Sequence, residues 1–149
     1  MKKILLSIAI FGTMISGCKK EETAAPKSKT ELLCAHYWKV TAATIDPPLV
    51  INGTPITDWF SQMDACDKDD IVKYNTNNTV ITDEGATKCD PASPQTSTGT
   101  WSFNSTETII TEDGINQDLL ELSENVLKIS AIENIDGINY KFTFTFNKN

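Results

Sequence analysis

Ile138-Asn139-Tyr140-Lys141-Phe142-Thr143-Phe144-Thr145-Phe146-Asn147 is the stretch that decides the fold. Apolar and polar residues alternate through it without a break. Successive side chains of a β-strand point to opposite faces, so this strand has one wholly apolar face and one wholly polar face. A strand of that kind belongs to a sheet buried on one side only. Asp136-Gly137, directly before it, is a hairpin signal, and Val126 to Ile132 is the strand that the hairpin returns from.

Working back from there, the chain reads as a meander. Strands are expected at Asp70 to Tyr74, Thr79 to Asp83, Thr98 to Phe103, Glu107 to Glu112 and Gln117 to Leu122. Turns at Asn75 to Asn78, Asn104-Ser105, Asp113-Gly114 and Ser123-Glu124-Asn125 link most of them, and a long polar loop covers Gly85 to Ser97. The first strand is Tyr37 to Ile45, with Trp38, Val40 and Ala42 on one face in imperfect alternation; Asp46-Pro47-Pro48 is expected to end it. Ahead of it, Ser28-Lys29-Thr30-Glu31 has capping-box spacing and predicts a short helix through Leu32 and Leu33. Trp59 to Met63 predicts a second short helix, capped by Thr57 and placed as a lid at one end of the sheet. The fold class is therefore all-β with one or two short helices. Eight strands with hairpin-length links solve their edge problem by closing into an antiparallel up-and-down β-barrel.

The amino terminus carries a different message. Met1-Lys2-Lys3 is basic, Ile4 to Met14 is apolar but too short to span a bilayer, and Ile15-Ser16-Gly17-Cys18 ends in small residues before a cysteine. The pattern resembles the lipobox of diderm bacteria, which implies cleavage before Cys18 and lipid attachment to it. Two or more acyl chains give stable anchoring, at roughly 0.8 kcal/mol per buried methylene. The expected organisation is a signal peptide at 1–17, a lipidated tether at 18–27 and one barrel domain at 28–149. The expected address is the outer membrane. Cys18-Lys19-Lys20-Glu21-Glu22 resembles a surface-sorting signal, with the periplasmic face as the alternative.

Loss of the leader removes Lys2 and Lys3 and leaves eleven lysines against twenty acidic residues, a net charge of −9. No arginine occurs in the chain. Arginine is the preferred bidentate grip on phosphate and guanine edges, so an acidic chain without it argues against a nucleic-acid partner. With Cys18 taken by lipid, Cys34, Cys66 and Cys89 remain for an oxidising compartment. Cys66 and Cys89 both lie beside polar, turn-rich segments, and a Cys66–Cys89 bridge is favoured, worth about 3 kcal/mol. Cys34, beside Leu32 and Leu33, is expected to be a buried, inert thiol.

Several segments together resemble a known family. They are Tyr37-Trp38-Lys39-Val40, Cys66-Asp67-Lys68-Asp69-Asp70, Asp83-Glu84-Gly85, Lys88-Cys89, Gly99-Thr100-Trp101-Ser102-Phe103, Leu122 to Ile129 and Phe144 to Lys148. This set resembles the lipocalin-like domain of small lipoproteins of diderm bacteria, over roughly Ser28 to Asn149. The resemblance implies a calycin-type barrel, the Cys66–Cys89 bridge and no enzymatic residues. The chain departs from true lipocalins at the first strand. Ala35-His36-Tyr37-Trp38 stands where those carry Gly-x-Trp, and the arginine that packs on that tryptophan is missing.

Candidate chemistry is sparse. His36 is the single histidine and no Gly-x-Ser-x-Gly context accompanies it, so neither a hydrolytic triad nor a zinc site is expected. Asp64, Asp67, Asp69 and Asp70 gather carboxylates but lack the EF-hand spacing, glycine and closing glutamate. They are read as a solvated acidic loop. No pair of carboxylates stands out for glycoside hydrolysis. No cofactor, metal or catalytic residue is assigned. The aromatic residues remain. Trp38, Trp101, Tyr140 and Phe142 are the expected walls of a site for a small hydrophobic ligand, with Trp59 and Tyr74 as further aromatics. The alternative is a surface adaptor or inhibitor that holds a protein or glycan through barrel-end loops such as Gly85–Ser97. Eight-stranded barrels sit at the boundary between a filled interior and one small cavity.

Overall fold

A computed structural model describes residues 25–149 of the chain. Cys18, the leader and the sorting signal lie outside the described residues. The elements are α1 (Lys29–Ala35), β1 (Tyr37–Ile51), β2 (Thr54–Asp58), a 3-10 turn (Phe60–Gln62), α2 (Ala65–Lys68), β3 (Ile71–Tyr74), β4 (Thr79–Asp83), β5 (Thr96–Phe103), β6 (Ile109–Glu112), β7 (Ile115–Leu122), β8 (Val126–Ile135) and β9 (Ile138–Lys148). Neighbouring strands pair antiparallel in sequence order, and β1 pairs with β9 from Trp38↔Lys148 to Asp46↔Lys141. That seam closes β1 and β3–β9 into an eight-stranded antiparallel barrel. The pairings and the core residues all fall within 33–148, so the barrel is closed on its own residues.

β2 is a strand that the sequence reading did not include. β3 pairs with β1 at Tyr37–Lys39 only, and β2 takes the same edge further on, at Thr44 and Leu49–Ile51. Asp46-Pro47-Pro48 does not end β1. The register slips between Thr44 and Leu49, and the prolines, which have no N–H for a ladder, sit in that irregular stretch, with the Asp46–Pro47 bond cis. Asn52-Gly53, with φ of 50° and 81°, makes the β1–β2 hairpin as Asp113-Gly114 and Asp136-Gly137 make theirs.

The imperfect alternation of the first strand also has a cause. A register shift between Val40 and Ala42 marks a bulge opposite β9. A bulge adds one residue and moves later side chains to the other face. Trp38 and Val40 are buried before it, Ala43 and Ile45 after it, and Ala42, expected inside, is exposed.

The two ends of the barrel are closed differently. α1 lies across one end. Its capping box forms as read: Glu31 N–H donates to Ser28 Oγ at 3.2 Å and Ser28 N–H to Glu31 Oε2 at 2.7 Å. Leu33 of α1 is fully buried, and Trp38 Nε1 donates to its carbonyl at 2.9 Å. Leu33, Trp38, Tyr74, Val80, Trp101, Ile110, Leu127 and Ile129 form one cluster that fills this end. Gly99 of the Gly-Thr-Trp segment stands beside the Asp113 carboxylate, which accepts from Thr100 N–H at 2.7 Å. A Cβ on Gly99 would meet Asp113 Oδ2 at 2.2 Å and would push that carboxylate off Thr100.

The opposite end is roofed by the 3-10 turn, α2 and the β4–β5 loop. The short helix expected at Trp59 to Met63 forms as one 3-10 turn, Phe60–Gln62, and not as an α-helix. Ser61 N–H donates to Asp58 Oδ1 at 3.1 Å, so Asp58 rather than Thr57 holds the turn, and α2 follows as a separate piece.

Candidate functional site

Beneath that roof the barrel keeps a cavity of about 290 Å³, open to solvent at the rim. Val40 of β1, Val72 of β3, Thr82 of β4 and Phe144 and Phe146 of β9 form its walls, and Met63, Asp67 and Asp70 complete it. The wall residues follow from strand period. Val72 pairs with Thr82 and Trp38, so both partners share its inward face. Phe144 and Phe146 belong to the apolar face of the alternating C-terminal strand. On the ~30 Å³ share of one water or one methylene, the space holds roughly ten small groups.

The roof is tied down at several points. Cys66 of α2 and Cys89 of the β4–β5 loop are disulfide-bonded, with Cα atoms 5.2 Å apart. Asp69 reaches across to the same loop. Its carboxylate accepts from Ala86 N–H at 3.0 Å, from Thr87 N–H at 2.9 Å and from the Thr87 hydroxyl at 2.9 Å. Desolvation pulls the Asp69 acid upward, but these donors outweigh it and hold the acid below its usual range. Gly85, at φ 64°, lets the loop pass the Asp69 backbone; a Cβ there would meet its carbonyl oxygen at 2.3 Å.

The acidic run is thus not one solvated loop. Asp69 is a clamp, whereas Asp67 and Asp70 line the cavity. Oδ1 of Asp70 is buried and has no hydrogen-bond partner. Desolvation, then the neighbouring Glu84, Asp67, Asp69 and Asp83, push its acid up to about 6. Among the described residues no lysine pairs with either cavity carboxylate; the ion pairs are Lys27–Glu124 and His36–Glu124, on the far side of the barrel. Lys68 of α2 lies instead over the Phe60 ring, 5.1 Å from its centre. Cys89 Sγ lies 3.3 Å from Asp67 Oδ1, a packing contact, since a disulfide sulfur carries no proton. Cys66, Asp67 and Cys89 come within 4.8 Å of one another, but the bridge occupies both sulfurs.

The four aromatic residues singled out as ligand walls stand elsewhere. Trp38 and Trp101 belong to the packed cluster under α1; Trp101 Nε1 donates to the Asn75 carbonyl at 2.9 Å, and its ring meets Tyr74 edge-on. Tyr140 is buried further up β9, and Phe142 packs edge-on against Trp59 at 5.3 Å and stacks on Phe144. None of the four is among the cavity's lining residues. Of the aromatics it is Phe144 and Phe146 that line it, and the alternation of the C-terminal strand is the signal that could have found them. For the two aspartates, sequence gave no cue beyond their charge.

The remaining candidates are structural. His36 Nε2 sits 3.3 Å from Glu124 Oε2 at the α1 end and edge-on to Trp38. Cys34 is free, half-buried and packed against the core, and desolvation pushes its thiol up, away from the reactive thiolate. Glu112 points into the barrel and accepts from the Tyr74 hydroxyl. Desolvation raises the acid of Glu112 and, together with the Glu112 charge, raises that of Tyr74.

Compared with known proteins, residues 35–129 match a family model described as a lipocalin-like domain. No curated protein matches the chain.

Proposed function

The chain belongs to the lipocalin-like domain family, and from that premise we propose a membrane-anchored cell-envelope lipoprotein whose barrel holds one small hydrophobic ligand without changing it chemically. The observation that carries this reading is the 290 Å³ cavity with Val40, Val72, Phe144 and Phe146 on its walls. Its size is near the lower bound of small-molecule sites, which are mostly apolar with a few placed polar groups. Lipid at Cys18 supplies the anchor, and the Lys19-Lys20-Glu21-Glu22 tether favours the outer face of the outer membrane. Ser28, the first residue after the tether, caps α1 at the closed end of the barrel.

The test is titration of the barrel with 1-octanol, followed by methyl NMR. The expected shifts fall on Val40, Met63 and Val72, and Val72→Phe, which occupies the space, removes them. Binding that persists unchanged in Val72→Phe refutes the cavity as the site. For the anchor, mass spectrometry of the membrane fraction should find acylated Cys18, and Cys18→Ser should release the protein.

A second reading, a surface adaptor, draws on the β8–β9 hairpin. Ile135 and Ile138 pair across it and remain 37% and 50% exposed, carrying the apolar face beyond the rim. Aliphatic side chains favour a protein over a glycan, which stacks on aromatic rings. A photocrosslinking residue at 138 on intact cells should then give one discrete adduct that Ile135→Lys abolishes; absence of any adduct refutes it.

A further inference from the structure

The cavity is apolar on its walls and acidic at its roof, and among the described residues no basic side chain pairs with that acid. Asp67 and Asp70 both reach the space. A buried carboxylate oxygen without a partner carries a desolvation cost, and native structures keep such groups mainly where something else completes them. Oδ1 of Asp70 is such an oxygen. The nearest cation along the chain, Lys68, is turned onto Phe60. The surrounding carboxylates of Glu84, Asp69 and Asp83 deepen the negative potential at Asp70 instead of relieving it. Asp69 is already saturated by the β4–β5 loop, so the unmet demand falls on Asp70, with the exposed carboxylate of Asp67 beside it.

Resting on the reading of the barrel as a ligand site, we propose that its ligand is a small cationic amphiphile, an alkylammonium head on a short apolar body. The head docks against Asp70 and Asp67, and the body lies on Val40, Val72, Phe144 and Phe146. A fatty acid or other anion of the same length is excluded by the same carboxylates, since a like charge brought into a partly desolvated site is repelled. The chain has no arginine, and Lys68, the lysine of the roof helix, is held over the Phe60 ring and does not line the cavity, so the charged groups that face an incoming head are the two carboxylates.

The discriminating experiment is calorimetric titration of the chain from Lys19 to Asn149 with a matched set: octylammonium, octanol and octanoate. At pH 7.5 octylammonium should bind on the order of tenfold tighter than octanol, the scale of one charge-assisted contact, and octanoate should bind most weakly. The preference for octylammonium should shrink below pH 6 as Asp70 takes up its proton. Asp70→Asn should abolish the preference for octylammonium over octanol, and Asp67→Asn should reduce it by less. Equal affinities across the set, or octanoate binding best, would overturn the cationic head and leave the apolar cavity standing. If none of the three binds, the ligand-site reading falls as well. The comparison of probes on the unmodified chain decides the matter even if a variant misfolds.

Discussion

The α1 end and the α2 end of the same barrel are lined by the same strands, yet one is solid and the other hollow. Under α1, eight buried residues with three aromatic rings fill the interior, and the helix adds Leu33 as a plug. Toward α2, Ala43, Ile45 and Tyr140 are buried and Trp59 packs on Phe142, but 290 Å³ remain open beside two carboxylates. The closed end is held by buried apolar area, which is non-directional and strong in sum. The hollow end is held by ties: the Cys66–Cys89 bridge and the Asp69 clamp. The difference assigns folding to one end and leaves the other free to keep an unfavourable group.

Truncations on matched strand positions give the largest contrast. Trp38→Ala should cost about 3–5 kcal/mol, because it empties a fully packed site and also strands the Leu33 carbonyl. Val72→Ala, beside space already empty, should cost only about 1 kcal/mol. Urea denaturation of both variants measures the gap. Equal losses would mean that the hollow end is as tightly packed as the closed one. Next in size is the bridge. Replacing Cys66 and Cys89 with serine removes a cross-link between residues 23 apart in sequence and should cost about 3 kcal/mol. Hydrogen exchange should quicken in 59–70 and 84–95 first, while α1 stays protected; loss spread evenly over the barrel would argue against a separately tied roof.

How much of this was legible in sequence follows the same division. The barrel was readable because strand period and turn chemistry are local: the alternation of 138–147 and the Asp-Gly turns act over a few residues. β2 is hidden in the sequence because Pro47 and Pro48 read as a stop, ahead of the Asn52-Gly53 turn that makes its hairpin. The capping box at Ser28 was readable for the same local reason. The cavity was not. Which aromatics fill a barrel and which line a void depends on depth along the axis, and depth is set by register across strands far apart in sequence. Trp38 and Trp101 look like ligand walls by type, and their packing with Leu33, Tyr74 and Ile110 puts them in the filled core instead. The separate roles of Asp67, Asp69 and Asp70 were equally hidden, since three nearby acids carry no mark of which one meets a loop and which a void.

The third prediction concerns that hollow end alone. Asp70 has its acid raised from 3.8 to about 6 in the folded protein. The folded state therefore holds this proton more tightly than the unfolded one. Its contribution to stability is complete below about pH 4 and is lost as pH rises through 6. Asp70→Asn, which cannot ionise, should match the parent at pH 4 and exceed it by about 1–2 kcal/mol at pH 7.5, a figure reduced for the group's partial exposure. Thermal melts at several pH values measure it. A variant less stable than the parent at pH 7.5 would show that the carboxylate is satisfied in place.

The smallest effect belongs to the outer edge of the closed end. Ser28→Ala removes the hydroxyl that takes the Glu31 amide and leaves Glu31 Oε2 its backbone contact at 2.7 Å. Loss of one such cap costs about 1 kcal/mol. Because α1 is only seven residues long and cannot persist without its tertiary contacts, the cost should appear as a lowered global transition and not as a frayed helix. Binding of an octyl probe at the other end should be unchanged, since no residue of α1 or its cap lines the cavity. A cap variant that weakened probe binding would tie the two ends into one cooperative unit, and the division between a folding end and a binding end would have to be abandoned.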